Sequence, residues 1–227
     1  MKEIIKHLES FATEERTQLF DRVIENRTKY LTVVLEDIFQ AQNASAVLRS
    51  CDCFGIQDVH IIENQNEFCI HKEIVMGSTK WLDLHKYNKQ ENNTREAIRS
   101  LKAQGYRIVA TTPHEKDVFL HDFDLHEGKA ALVFGTELTG ISDIVKEEAD
   151  AFIKVPMYGF TESFNISVCA SLVMQDLTTR IRRENVAWQL SEEEKEEIKY
   201  EWLKRSIRSA DLIISMWEEK NKLICNT

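Results

Sequence analysis

Short apolar runs constrain this chain most. LTVVL (31–35), DVHII (58–62), YRIVATT (106–112), AALVF (130–134) and AFIKV (151–155) recur along it, rich in β-branched residues, with WLDLH (81–85) as a shorter relative. Continuous runs of this length suit parallel strands buried on both faces. Segments of helical periodicity separate them, and alternating strands and helices predict an α/β domain with a mostly parallel sheet. Ligands of such sheets sit at the carboxyl ends of the strands. The segments after Phe134 and Val155 carry small and polar residues at that place.

The intervening segments read as helices. Residues 1–30 predict a basic N-terminal helix, with Leu19, Phe20, Val23 and Ile24 apolar and Arg16, Arg22, Arg27 and Lys29 basic. Asn43–Phe54 predicts a helix with Asn43 as N-cap and Gly55 just past its end. Val47, Leu48, Cys51 and Phe54 form its apolar stripe, and Arg49 points away from that stripe. Further helices are expected over Thr94–Gln104, from near Ser142, and over Ser163–Glu184. The last is apolar nearly all round at first, which predicts burial in the centre or in a subunit interface, and it ends in Arg180, Arg182 and Arg183. Ser191 and Glu194 fit a capping box opening a final helix, whose seam is Leu203, Ile207, Ala210, Ile214 and Trp217. The expected organisation is a helical extension over 1–30, an α/β domain over 31–184 and a second helical extension over 185–227.

With 227 residues, 43% hydrophobic and 30% charged, the chain has the make-up of a globular protein with a substantial core. No apolar run reaches membrane-spanning length and no signal-peptide pattern opens the chain, so a cytoplasmic protein without a membrane is expected. The five cysteines are read as reduced thiols. The net charge of −9 lies within residues 31–177, and both ends are neutral, so basic clusters there remain available to a polyanion. No G-x-G-x-x-G follows a strand, and Gly135–Gly140 lacks the Lys that a P-loop needs. The seven histidines form no H-x-x-x-H pair, and no metal is expected. Ser163 has no G-x-S-x-G elbow, which argues against a hydrolase serine.

Three stretches, in order, carry a resemblance: NASAVLR (43–49), LVFGTELTGI (132–141) and VPMYGFTESFNISV (155–168). They resemble the three motifs of the SPOUT superfamily of RNA ribose 2'-O-methyltransferases over about residues 31–184. The basic N-terminal helix and WLKRSIR (202–208) are most similar to the TrmH-type branch, which acts on guanosine 18 of tRNA. The resemblance implies a deep trefoil knot at the C-terminal side of the sheet, a homodimer, and S-adenosylmethionine as methyl donor. It implies a cofactor site at Thr111, Thr112, Pro113, Phe134, Gly135, Thr136, Glu137, Leu138, Ile153, Val155, Pro156, Met157 and Phe164. It implies Arg49 as the residue that activates the ribose hydroxyl, with Asn43, Glu137, Ser163 and Asn165 completing the catalytic set. A guanidinium normally stays protonated, so Arg49 is expected chiefly to organise the target phosphate and ribose. Arg22, Arg27, Arg180, Arg182, Arg183, Lys204, Arg205 and Arg208 are the expected tRNA contacts. The alternatives are the same chemistry on ribosomal RNA or another tRNA position, or an RNA-binding module without catalysis.

Overall fold

The computed structural model describes residues 1–112, 117–136 and 139–225, with side chains through 221. The chain divides into two compact units. The larger, Thr28–Trp188, is the α/β unit; the smaller joins Met1–Arg27 to Gln189–Thr227.

The α/β unit opens with β1 (Leu31–Glu36), every residue of which is buried. Its alternate side chains serve the two faces of the sheet. Leu31, Val33 and Leu35 enter one apolar cluster together with α3 (Ala41–Phe54) and α7 (Ile166–Arg183), whereas Val34 joins a second with α5 (Asn93–Ala103) and α6 (Asp143–Glu148). Between these lie β2 (Asp58–Ile62), α4 (Lys72–Val75), β3 (Asp83–Tyr87), β4 (Arg107–Thr111), β5 (Val118–Phe119), β6 (Ala130–Phe134) and β7 (Ala151–Lys154). The described strands form one sheet in the order β3-β2-β1-β6-β4-β7-β5, and every pairing is parallel. The chain builds outward from β1 to β3, crosses to β4, and later inserts β6 between β1 and β4. Strand order therefore reverses beside β1 and β6, where a ligand cleft forms in open parallel sheets.

The smaller unit contains α1 (Lys2–Glu9), α2 (Glu14–Ile24), α8 (Glu192–Ser206) and α9 (Ala210–Cys225). Leu8, Phe20, Ile24, Ile198, Trp202 and Leu203 are among its buried apolar residues. Phe20 meets Trp202 edge-on at 5.5 Å, a favoured aromatic geometry. Lys199 bridges Glu9 and Asp21, at 2.5 Å each, and so ties α8 to both N-terminal helices.

Several boundaries differ from expectation. The N-terminal segment is two helices, because Thr13 starts a new one by accepting the Arg16 N–H. The last helix is likewise two: Ser209 takes a left-handed φ of 59° between α8 and α9, so the seam expected through Ile207 and Ala210 is broken. The Ser191–Glu194 capping box is present at the start of α8. α3 begins at Ala41, with Gln40 in the N-cap position, so Asn43 lies inside the first turn and is not the N-cap. β3 runs over 83–87, two residues later than expected, and the two-residue β5 had no sequence signal. α7 begins at Ile166 with Asn165 as cap, leaving Ser163 in the preceding loop.

Candidate active site

A cleft of about 770 Å³ opens at the carboxyl ends of β4, β6 and β7. Thr111 and Thr112 reach it from β4, Phe134 to Thr136 from β6, and Ile153, Val155 and Met157 from β7. Gln40 and Asn43 contribute from the start of α3, and Glu162 to Ile166 from the approach to α7. The cleft thus gathers segments from all three sequence motifs. Of the expected cofactor residues, Pro113, Glu137 and Leu138 lie outside the described residues, and Pro156 does not line the cleft. The others line it. Gln40, Thr139, Gly140, Ile141, Lys146, Glu162, Ile166, Cys169 and Val173 were not anticipated. Most are apolar or unremarkable in sequence and become lining residues only when the loops meet.

The loops are stiffened by their own side chains. Thr136 Oγ1 lies 2.7 Å from Thr139 Oγ1 and accepts the Thr139 N–H at 3.0 Å. Thr136 and Gly140 also exchange backbone hydrogen bonds at 2.9 and 3.1 Å. Gly135 is required by close approach: a Cβ there would run into the backbone of Gly140 and Ile141. The far end of this loop is pinned by Glu36, which is buried at the end of β1. Its Oε1 accepts from Thr94 Oγ1 and Ser142 Oγ, both at 2.7 Å, and its Oε2 accepts the Ser142 N–H at 2.9 Å. Ser142 in turn caps α6 by accepting the Val145 N–H. One carboxylate therefore links β1, α5 and the cleft loop. The hydroxyl of Thr111 donates to the Val133 carbonyl at 3.0 Å, joining β4 to β6. Threonine hydroxyls are thus spent on shaping the cleft, which leaves backbone groups and apolar side chains to face a ligand.

The expected catalytic residues fall into two places. Asn43 is buried and donates to Gln40 Oε1 at 3.1 Å, while its own carbonyl oxygen accepts from Asn165 Nδ2 at 3.1 Å. Asn165 also caps α7 through the Ser167 N–H at 2.9 Å and accepts the Ser167 hydroxyl at 2.6 Å. The first and third motifs are therefore tied by an amide–amide bond at the cleft, with Ser163 beside it. Arg49 is exposed on the opposite side of α3 and does not line the cleft. Its neighbour Ser50 meets Ser171 of α7 at 2.9 Å, so Arg49 stands next to the α7 surface. There Val168 and Leu172 of α7, with Phe164 just before it, are 40–46% exposed and form an apolar strip. Within one chain this helix is therefore not buried all round, and the subunit-interface alternative is the one left open. Burial pushes the Cys169 thiol up to about 11, which keeps this cleft residue protonated and unreactive at neutral pH.

The basic residues divide similarly. Arg180 donates to the Leu120 and Phe123 carbonyls at 3.2 and 2.7 Å and pairs with Glu184. Arg182 donates to the Thr178 and Phe54 carbonyls and lies 4.9 Å over the Trp188 ring. Arg27 is buried, with its guanidinium 5.1 Å over Trp202. These three make contacts within their own units, and of them Arg182 is exposed. Lys204 pairs with Asp211 at 3.2 Å and Arg205 with Glu201 at 3.6 Å. Arg22, Arg183 and Arg208 are exposed, as is Arg182. Among the described residues, no group of three or more His, Cys, Asp or Glu is arranged to hold a metal ion.

A family model described as the SpoU rRNA methylase family matches residues 30–175. The chain belongs to this family. A relative from Borreliella burgdorferi, named tRNA (guanosine(18)-2'-O)-methyltransferase, is 41% identical over 206 residues, 91% of this chain and 92% of the relative. A protein of the same name from Thermus thermophilus is 33% identical over 162 residues, 71% of this chain and 81% of its own. Among solved structures, the Aquifex aeolicus TrmH/SpoU tRNA modifying enzyme superposes with a TM-score of 0.76 at 29% identity, covering 86% of this chain and 98% of that one. The AviRb methyltransferase from Streptomyces viridochromogenes, solved with AdoMet, shares the fold at 20% identity, with a TM-score of 0.59 over 72% of this chain and 65% of its own. The SpoU relatives thus match both in sequence and in the parallel-sheet architecture that forms the cleft.

Proposed function

We propose that this SpoU-family protein transfers a methyl group from S-adenosylmethionine to the ribose 2'-hydroxyl of guanosine 18 in tRNA. The observation that carries the reading is the single cleft in which all three motif segments meet, sealed by the Asn43–Asn165 bond. The volume and lining fit the donor. Phe134, Ile153, Val155 and Phe164 offer apolar walls for its adenine, and the backbone of the loops after β4, β6 and β7 offers polar contacts. When bound, S-adenosylmethionine supplies an electrophilic methyl group. The protein's task is then to hold a ribose hydroxyl in line with that group and to help it lose a proton.

Asn43, Ser163 and Asn165 supply neutral hydrogen-bonding groups at the cleft, and Glu137 completes the proposed set. Arg49 takes the phosphate and ribose of the target nucleotide. It stands outside its own cleft, beside the exposed Phe164–Val168–Leu172 strip. In this reading that strip is the homodimer interface, and pairing two copies brings Arg49 to the reacting nucleotide. Arg22, Arg183, Arg208, Lys204 and Arg205 are the proposed tRNA contacts. The trefoil knot, the helical extensions at both ends and a cytoplasmic location belong to the same proposal. No helix among the described residues is long and apolar enough to cross a membrane.

The test uses purified protein, methyl-labelled S-adenosylmethionine and an unmodified tRNA pool, followed by mapping of the labelled ribose. Label is expected at guanosine 18. Arg49→Ala should retain its fold and donor affinity while its rate falls by about 10²–10⁴-fold. Label confined to ribosomal RNA or to another tRNA position would overturn the assigned target. Donor binding with no transfer to any RNA would overturn the catalytic reading.

A further inference from the structure

The strongest remaining feature is a charged residue on the wall of the cleft. Among the described residues that line it, Lys146 is the one cation and Glu162 the one anion. Lys146 belongs to none of the three motif stretches. Neither the catalytic set nor the proposed RNA contacts use it.

Its placement is fixed from below. Ser142, the cap of α6, donates both its N–H and its hydroxyl to buried Glu36. Lys146 lies one helical turn beyond that cap, and its N–H bonds to the Ser142 carbonyl at 3.1 Å. The ammonium pairs at 2.8 Å with Asp143, whose carboxylate is 89% exposed. The Lys146 hydrogen bond and charge hold the Asp143 carboxyl below its usual range. A solvated pair of this kind contributes little to stability. Moving the ammonium from Asp143 to a ligand oxyanion therefore costs little, whereas a ligand carboxylate left without a cation in a partly enclosed cleft would be poorly solvated.

We propose that Lys146 is the anchor for the α-carboxylate of the donor's methionine moiety. This rests on the S-adenosylmethionine reading above. The carboxylate is the only anionic group that donor carries, and Lys146 is the only described cation lining the space proposed for it. Arg49 of the same chain does not line this cleft, and its proposed partners are the phosphate and ribose of the target nucleotide.

The experiment is calorimetric titration of wild type, Lys146→Gln and Lys146→Arg with S-adenosylmethionine and with its decarboxylated analogue, alongside the KM for tRNA. Lys146→Gln should weaken S-adenosylmethionine by about tenfold or more and leave the decarboxylated donor unchanged. Lys146→Arg should restore most of the affinity. Thermal unfolding of the variants should match wild type, since the lost pair is exposed. Unchanged affinity in Lys146→Gln would overturn the assignment. So would an equal loss for both donors, which would mean a distorted cleft, or a change confined to the KM for tRNA, which would place a phosphate on Lys146. Wild-type protein that binds neither donor would sink the cofactor reading itself, and this inference with it.

Discussion

The Glu36 carboxylate offers a direct way to ask whether the cleft loop depends on the sheet beneath it. Glu36→Ala removes the acceptor of three donors: Thr94 Oγ1, Ser142 Oγ and the Ser142 N–H. Thr94 is itself buried, so water cannot replace the carboxylate there without entering the core. Leaving a buried donor unsatisfied costs about 1–3 kcal/mol. With Ser142 only half-buried, the total should come to about 3–5 kcal/mol. Glu36→Gln keeps the shape and, with its amide turned toward the two hydroxyls, can still accept the Ser142 N–H. Its loss should be about 1 kcal/mol, the difference between charged and neutral hydrogen bonds.

Urea unfolding at pH 7 measures both variants, and calorimetry measures their affinity for S-adenosylmethionine. Because Ser142 closes the loop that holds Gly135, Thr136, Gly140 and Ile141 at the cleft, Glu36→Ala should weaken donor binding well below its unfolding temperature. Glu36→Gln should restore that binding nearly in full. A stable Glu36→Ala variant, within about 1 kcal/mol of wild type, would refute the energetic argument. An unstable one with native donor affinity would refute the claim that this carboxylate positions the loop.

Two more perturbations follow from groups away from that carboxylate. Burial, with the charge of His85 nearby, pushes His60 down to about 4, its ring stacked 4.6 Å from His85 and bonded to Tyr87 at 3.0 Å. A depressed folded value means that nothing is lost above the ordinary pKa near 6.5. Between there and about 4 the unfolded chain takes up a proton that the folded chain refuses, so stability falls with pH, by about 2 kcal/mol at pH 5. His60→Phe should remove that increment from the difference between urea unfolding at pH 7 and pH 5; an undiminished difference would contradict it. Gly135→Ala drives a Cβ into the backbone of Gly140 and Ile141. Its calorimetric titration should show donor affinity reduced at least about 100-fold, with the sheet still folded by circular dichroism, since the loop must move by more than a side chain can absorb. Native affinity would mean that the loop opens freely.

What the sequence makes legible is set by which constraints repeat along it. Leu31–Glu36, Asp58–Ile62 and Ala130–Phe134 are read almost to the residue, because a parallel strand buried on both faces requires an unbroken apolar run. Ser142, Ser191 and Gly55 are legible because helix ends demand particular side chains or a left-handed backbone. β5 is too short to carry a period, and the α8–α9 break rests on one non-glycine residue, Ser209, in a left-handed conformation that sequence gives no reason to expect. Asn43 looks like a cap and is instead a bridge to Asn165, 122 residues away.

The arginines mark the limit more sharply. Arg180, Arg182 and Arg183 are adjacent on one helix, and by composition any of them could meet a phosphate. Two are taken up by carbonyl oxygens of distant segments, and a third, Arg27, by an indole face, so their geometry serves the fold. Arg183, Arg22 and Arg49 are exposed, and so is Arg182 despite its carbonyl contacts. Lys146 shows the converse, since nothing in its local sequence separates it from any solvated lysine until Glu36 fixes its helix at the cleft. A charged side chain acquires its role from the group at its far end. That group is supplied by tertiary contacts between segments that no local pattern links, so the cleft's walls could be read from motifs while its charges could not.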